Sequence, residues 1–179
     1  MVNKLSSLKL KEKAQEIYQA GDYPSAAQAF AEASVSYANE GDRLMSAEME
    51  NNQSVTLLRD KHPQAALDAA WATDEVFAQA GDMRRQGMAL ANQASALEAL
   101  KRFNEAIDFY ARAGEAFEKA GEMDLRVDVM QLLSALYLRR FKPFDAMIAL
   151  QSGLVAVKHP APKQRFMKML LKMLLFIRL

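Results

Sequence analysis

The sequence predicts an all-α fold, an α-α superhelix of four helix-turn-helix repeats followed by a C-terminal helix. The first observation is that Gly41-Asp42, Gly81-Asp82 and Gly121-Glu122 recur with a 40-residue period. The second is that other positions one period apart, here called columns, keep one size of side chain. Two columns are small and one is large and apolar: Ala26, Ala66, Ala106 and Ala146; Ala14, Ser54, Ala94 and Ser134; and Tyr37, Phe77, Phe117 and Val157. Such a period is typical of repeat proteins, in which each unit packs against its neighbours.

Composition agrees with an all-α repeat fold and excludes several classes of function. Hydrophobic residues make up 51% of the 179 residues, with only 7 Gly and 5 Pro, which favours helices over strands. A net charge of +1 gives no overall field for nucleic acid, so we expect no nucleic-acid partner. The absence of Cys excludes disulfides and thiolate chemistry and is compatible with the cytoplasmic location that we predict. The first residues lack a secretory signal pattern, so secretion is not expected.

The first repeat shows why two helices are predicted in each unit. From residue 5 to 20, apolar residues recur at three- and four-residue spacing, as in an amphipathic helix. Gly21 suits the left-handed conformation that ends a helix, and Pro24 suits the first turn of a second helix, which runs to Asn39. The same division predicts helices over 43–59 and 63–80, 83–100 and 104–120, and 122–140 and 143–158. The repeats therefore span about 1–40, 41–80, 81–120 and 121–160.

The remaining residues, 161–179, form a tail that departs from the pattern. Pro160 and Pro162 mark the boundary at which it begins. Leu174 stands one period after Ser134, in a small column, so the tail is not a fifth repeat. It is predicted to be an amphipathic helix whose broad apolar surface includes Phe166, Met169, Leu170, Met173, Phe176 and Ile177.

Three interpretations of that surface stay open. The tail caps the last repeat, since an array exposes the apolar side of its final unit. Alternatively, it buries its apolar residues against another copy of the chain or inside a groove, which would give a homo-oligomer or an autoinhibited form. In the third interpretation it lies on a membrane surface, because basic residues among Leu, Met and Phe fit an interfacial helix. Lys168 and Lys172 interrupt the apolar run, so a transmembrane helix is not predicted.

The repeats resemble the tetratricopeptide repeat, a helix-turn-helix unit with small residues where its helices cross. The third repeat shows the resemblance most clearly, in Ala94, Phe103, Ala106, Ile107, Tyr110 and Ala113. The longer period, in which Asn52-Gln53-Ser54 and Asn92-Gln93-Ala94 follow Gly-Asp by eleven residues, is similar to that of kinesin light chains and related adaptor proteins. The resemblance covers residues 5–158.

This resemblance implies a non-enzymatic scaffold or adaptor that binds a peptide or partner protein on the concave face of a superhelix. The alternative functions are a regulatory peptide-sensing or self-associating module that uses the tail, and an adaptor attached to a membrane surface. By family register, the inward positions on the first helices are Lys11, Gln15, Glu48, Asn51, Asn52, Arg59, Asn92, Ser95, Gln131 and Arg139.

Asn52 and Asn92 are the main candidates, because the equivalent Asn in related repeats hydrogen-bonds the backbone of an extended peptide. A side-chain amide has both the donor and the acceptor for that task. The alternative is that both residues bond within the repeats or face water. A carboxylate clamp is not predicted, since the basic residues are scattered and Glu48 stands among them.

Catalytic and metal-binding patterns are absent from the sequence. His62 and His159 each precede a proline, and neither has metal-ligand spacing. We therefore predict no enzyme activity, no cofactor and no metal. Trp71 is interpreted as a packing residue of a second helix, and Arg84-Arg85 as part of a solvated helix end.

Overall fold

The computed structural model describes residues 6–155, together with Arg165 and Met169, and all regular structure in this part of the chain is α-helical. The predicted all-α class is confirmed for these residues. The helices are α1 (Ser7–Gln19), α2 (Tyr23–Asn39), α3 (Arg43–Arg59), α4 (Pro63–Ala70), α5 (Thr73–Gln79), α6 (Met83–Ala99), α7 (Phe103–Ala120), α8 (Met123–Arg139) and α9 (Pro143–Val155).

The helix boundaries follow the 40-residue period of the sequence. Helices α3, α6 and α8 begin at residues 43, 83 and 123, and helices α2, α4, α7 and α9 begin at residues 23, 63, 103 and 143. We call α1, α3, α6 and α8 the first helices of the four repeats, and the helices that follow them the second helices. The predicted helix ends agree with the observed ones to within two residues wherever both are described, except in the predicted helix 63–80.

The turns between helices share one backbone conformation. A residue with positive φ recurs at a constant interval, twice in each period, at Gly21, Gly41, Lys61, Gly81, Lys101, Gly121 and Phe141. In the turn after α5, the amide of Asp82 donates to the Phe77 carbonyl at 2.9 Å, and the Arg102 amide donates to the Leu97 carbonyl at the same distance after α6. These are the bonds of a helix end closed by a left-handed residue. Gly21 adopts this conformation as predicted, with φ of 84°.

The small columns lie where helices pack closely. All eight of their residues are buried, and so are Tyr37, Phe77 and Phe117 of the large column, while Val157 lies outside the described residues. Gly87 lies outside these columns and shows a similarly close contact, because a Cβ atom added to it would come within 2.8 Å of the Phe117 ring of α7. Larger residues at such positions would overpack the contact.

The core is distributed along the chain. Among the described helices, each substantial contact joins helices that are consecutive or nearly consecutive in sequence, such as α1 with α2, α2 with α3 and α3 with α6. Buried apolar residues accordingly form several clusters, one around Phe30 and Met49 and a larger one around Leu97 and Tyr110. Each helix is therefore stabilised mainly by its sequence neighbours.

The second helix of the second repeat differs from the prediction. It was expected to run continuously over 63–80 with Trp71 packed inside, but the chain breaks between α4 and α5. Trp71 is extended with ψ of 131°, Ala72 has a positive φ of 62°, and the Trp71 side chain is 58% exposed. The prediction of Trp71 as a packing residue is wrong.

Side chains from other helices explain why this break is stable. The Ala70 carbonyl, freed by the break, accepts hydrogen bonds from Thr73 Oγ1 at 2.7 Å and Gln93 Nε2 at 2.8 Å. Gln93 also donates to the buried Asp74 carboxylate at 2.9 Å, and Arg112 donates to it at 3.2 Å. Because buried polar groups are costly unless they are hydrogen-bonded, this network keeps the interrupted helix in the array.

The tail is described only at Arg165 and Met169, which are both helical and exposed. The other five apolar residues predicted to contact a second copy or a membrane lie outside the described residues. Within 6–155, and at 165 and 169, no helix has both the length and the apolar character needed to cross a bilayer.

Candidate functional site

Two neighbouring pockets open between the first helices. The Asn52 pocket has a volume of about 240 Å³ and is lined by Gln15, Tyr18, Phe30, Asn52, Val55 and Thr56. The Asn92 pocket also has about 240 Å³ and is lined by Ser54, Val55, Leu58, Arg59, Asn92 and Ser95. Because Val55 lines both, the two pockets adjoin along the surface formed by α1, α3 and α6.

The two pockets are related by the sequence period. Asn92 stands one period after Asn52 and occupies the same place in its pocket. Three other pairs of lining residues have the same relation: Gln15 and Val55, Tyr18 and Leu58, and Val55 and Ser95. The repeat therefore builds equivalent depressions on successive units, each with one asparagine in its wall.

The asparagines differ in their bonding. Asn92 Nδ2 donates to Asn51 Oδ1 at 3.2 Å, and the buried Asn51 donates in turn to the Ala47 carbonyl at 3.2 Å. Asn51 thus joins α3 to α6 and has little surface for a ligand. The Asn52 side-chain amide makes no hydrogen bond with any described residue, although it is half-buried in its pocket wall. Its donor and acceptor are available to a ligand.

Ion pairs cross from one repeat to the next beside the pockets. Glu48 on α3 binds Lys11 Nζ of α1 at 2.9 Å and Arg85 of α6 at 3.2 Å. Arg85 also binds Asp82 at 2.6 Å. The interpretation of Arg84-Arg85 as a solvated helix end is wrong for Arg85, which links the second and third repeats.

Asp82 both begins α6 and binds Arg85. Its carboxylate accepts the Arg85 backbone N–H at 2.8 Å and the guanidinium Nε at 2.6 Å. Partial burial pushes the pKa of Asp82 upward, but these hydrogen bonds outweigh it, so the pKa lies below its ordinary value. The charged form of Asp82 is therefore stabilised in the folded chain.

A second polar network lies beyond the Asn92 pocket. Arg139 of α8 binds the Glu98 carboxylate, which also accepts from the Tyr110 hydroxyl at 3.2 Å. The same hydroxyl lies 3.1 Å from Ser95 Oγ in the pocket wall. Burial raises the pKa of Tyr110 to about 12, so its hydroxyl remains protonated and can donate at neutral pH.

The ten residues predicted on the inward surface thus divide into groups. Gln15, Asn52, Arg59, Asn92 and Ser95 line the pockets; Lys11, Glu48 and Arg139 form ion pairs between repeats; Asn51 is buried; and Gln131 is exposed outside both pockets. Arg59 is exposed and forms no ion pair with the described residues. Among the residues that line the two pockets, Arg59 therefore carries a positive charge that no described acidic residue neutralises.

Three pocket residues, Tyr18, Val55 and Leu58, were not predicted from the sequence, and neither was Glu98 as the partner of Arg139. One sequence pattern points to Val55, since it stands in one column with Gln15 and Ser95. Glu98 has no such pattern, because its counterparts Tyr18, Leu58 and Leu138 are not acidic.

Metal-ligating side chains do not gather within the described ranges, where no group of three or more His, Asp or Glu residues is placed to hold an ion. His62 Nε2 lies 3.2 Å from Asp60 in an exposed turn. Comparison with models of known protein families finds no match, and comparison with curated proteins finds none either.

Proposed function

We propose that this chain is a tetratricopeptide-type superhelix that acts as a non-enzymatic scaffold in the cytoplasm, binding an extended peptide segment of a partner protein along the Asn52 and Asn92 pockets. The observation that carries the proposal is the pair of equivalent pockets, one repeat apart, each with an asparagine in its wall. The periodic helix boundaries and the buried small columns support the assignment to this repeat class. Arrays of this kind present long surfaces that suit extended ligands.

The spacing of the pockets suits a peptide backbone. Packed helices lie about 8–10 Å apart, and three residues of extended chain cover about 10 Å. A peptide crossing α1, α3 and α6 would therefore meet one asparagine about every third residue. Each amide offers a donor and an acceptor to one peptide unit, which is sequence-independent recognition of the backbone.

The surrounding charges favour a ligand that is held mainly by hydrogen bonds between the asparagine amides and its backbone. Glu48 and Glu98 neutralise the nearby basic residues Lys11, Arg85 and Arg139. Arg59 remains beside the Asn92 pocket as a single exposed positive charge. In this proposal Asn51 has a structural role, because it positions Asn92 from a buried site.

A displayed library of random 12-residue peptides, selected on the wild-type chain, tests the proposal. Fluorescence anisotropy then compares the selected peptides on wild type and on the Asn52→Ala, Asn92→Ala double variant. Two lost side-chain hydrogen bonds cost about 1–3 kcal/mol in total, so Kd should rise about 5- to 150-fold.

The matched control is the Asn39→Ala, Asn104→Ala double variant, which removes two exposed asparagines from second helices. It should bind like wild type, and circular dichroism should show the same helix content in all three chains. Selection of no peptide, or equal affinity for wild type and the pocket variant, would refute the assignment of this surface as a peptide site.

A further inference from the structure

The fourth repeat has an apolar patch where the other three repeats have polar or small residues. Ile148 on α9 is 58% exposed, whereas its column holds Gln28, Asp68 and Asp108. Phe144, one turn earlier, is about half exposed in a column with Pro24, Gln64 and Asn104, and Phe141 in the preceding turn is 93% exposed in a column with Gly21, Lys61 and Lys101. We call Phe141, Phe144 and Ile148 the α9 patch. Burial of large apolar side chains is favourable, so the exposure of the α9 patch in the fourth repeat needs an explanation.

A helix that continues the array in register does not explain the patch. In the first three repeats the second helix is followed by the first helix of the next unit, and yet Gln28, Asp68 and Asp108 all remain exposed. These columns therefore lie away from the surface on which the next helix packs. A fifth first helix in the same register would leave Phe144 and Ile148 uncovered.

Two features of the tail argue that it does not occupy that register. Met169 is 55% exposed, although its column counterparts Met49, Ala89 and Val129 are all buried. Leu174 replaces the small residue of the column that ends in Ser134, which is buried where helices cross closely. A leucine there would overpack such a crossing.

We propose that the α9 patch is the docking surface for the chain's own C-terminal segment, residues 163–179. In the sequence, the segment follows the one repeat whose residues in these columns are large and apolar, and docking of the segment would account for the location of the patch. A helix running back antiparallel to α9 would place Leu170 opposite Ile148, Leu174 opposite Phe144 and Ile177 opposite Phe141. Phe166, Leu170, Met173 and Ile177 recur at four- and three-residue spacing, so they share one face of such a helix.

The length of the segment fits this path. From Phe144 to Val155, helix α9 covers about 16 Å, and a helix over the whole of 163–179 covers about 25 Å. The connection 156–162 has seven residues and spans at most about 25 Å when extended, which is more than an antiparallel helix pair needs.

Charge also favours contact between the segment and the array. Residues 156–179 contain six Lys and Arg and no Asp or Glu, a formal charge of +6. Residues 6–155 contain 16 Lys and Arg and 22 Asp and Glu, a formal charge of −6. Asp145 is exposed next to Phe144 and Lys142 is exposed next to Phe141, so the attraction comes mainly from the opposite net charges of the segment and the array.

Disulfide trapping tests the proposal directly, because the chain contains no cysteine. The variant Ile148→Cys, Leu170→Cys, treated with a mild oxidant at low protein concentration, should form an intramolecular bond in most molecules. The matched control is Gln28→Cys, Leu170→Cys, whose first thiol stands in the same column three repeats away, and it should form at least about tenfold less, since Cα atoms more than about 7 Å apart are not bridged. Gel mobility and mass spectrometry of tryptic fragments identify the bonds.

A third variant tests the alternative in which the segment continues the array as a regular fifth first helix. Leu154 and Phe166 correspond by column to Ser34 and Ser46, whose hydroxyls lie 3.0 Å apart. Efficient bonding in Leu154→Cys, Phe166→Cys, with none between 148 and 170, would show a regular fifth first helix and overturn the proposal. Bonding of 148 to 170 only between two molecules would show that a second copy covers the patch, which would also overturn it.

Proteolysis gives a measurement without cysteines. The Phe144→Gln, Ile148→Gln variant introduces residues that stand in these columns in earlier repeats, so it is designed to preserve the array. Trypsin should cleave its segment after Lys168 and Lys172 at least about tenfold faster than in wild type, because cleavage follows the undocked fraction. The control Val35→Gln removes an exposed apolar residue from α2 and should leave the rate unchanged. Equal cleavage of the patch variant and wild type would contradict docking at the α9 patch.

Discussion

Replacing lysine with glycine should have opposite effects on the free energy of unfolding in a left-handed turn and in a helix. Lys101 follows α6 with a positive φ of 61°, where Gly81 and Gly121 occupy the equivalent places after α5 and α7 with φ of 72° and 76°. A residue with a Cβ atom costs about 1–2 kcal/mol in this conformation. Replacing it with glycine also makes the unfolded chain more flexible, which costs about 0.4–1 kcal/mol. Lys101→Gly should therefore stabilise the chain by about 0.5–1 kcal/mol.

The reverse substitution, from glycine to alanine, measures the cost of the left-handed backbone conformation without any change in side-chain contacts. No atom lies within 4 Å of the Cβ position that Gly81→Ala would add, so the substitution causes no clash. It should destabilise the chain by about 0.5–1 kcal/mol through φ alone. A second control is Lys119→Gly in the last turn of α7, where glycine replaces lysine in helical backbone and should cost up to about 1 kcal/mol.

Urea unfolding followed by circular dichroism at 222 nm measures all three variants. Midpoints should shift upward for Lys101→Gly and downward for Gly81→Ala and Lys119→Gly, with unchanged slopes. If Lys101→Gly destabilised the chain as Lys119→Gly does, the turn at residue 101 would not be left-handed and the argument would fail.

Two further substitutions probe the contacts between repeats. Gln93→Leu removes the donor shared by the Ala70 carbonyl and Asp74, so the free energy of unfolding should fall by about 1–3 kcal/mol. An unfolding midpoint equal to that of wild type would show that the α4–α5 break does not depend on Gln93. Asp82→Asn keeps a capping side chain but removes the charge that binds Arg85. Because the folded pKa of Asp82 is lowered, the stability from this charge is present above the ordinary pKa of about 4 and is lost as the pH falls through the folded value. Wild type should therefore exceed the variant in stability at pH 7 and lose this advantage below pH 4, and a constant difference across that range would count against the pair.

Much of the fold followed from local patterns. The apolar spacing and the turn residues predicted the helices, with boundaries within two residues of the observed ones where both ends are described, except at the break in the second repeat. These features are recoverable because helix starts, helix ends and apolar periodicity depend on residues a few positions apart. The small columns were also informative, since close packing restricts side-chain size at every repeat.

The break in the second repeat was not predictable in the same way. The sequence around Trp71 and Ala72 has neither glycine nor proline, and it reads as a continuous helix. Its geometry is supported by Gln93 and Arg112, which stand 19 and 38 residues after Asp74. Such partners become neighbours only after the repeats have packed.

In the candidate site, too, some residues were predicted from the sequence and others are recognised only from the packing of the helices. The repeat resemblance predicted Asn52 and Asn92 as ligand-binding candidates, but Val55 is a pocket residue only because α1, α3 and α6 are adjacent in space. Likewise, the sequence shows that Lys11 and Arg139 are basic but not that Glu48 and Glu98 neutralise them.

The helical class, the 40-residue period and the positions that had to be small follow from the amino-acid sequence alone, because each depends on short-range periodicity or on a size limit repeated in every unit. The tertiary structure decided which polar groups are paired, where the second helix is interrupted and which side chains share a pocket. These properties depend on distances between residues that belong to different helices or different repeats, and such distances are fixed only when one helix pair packs against the next.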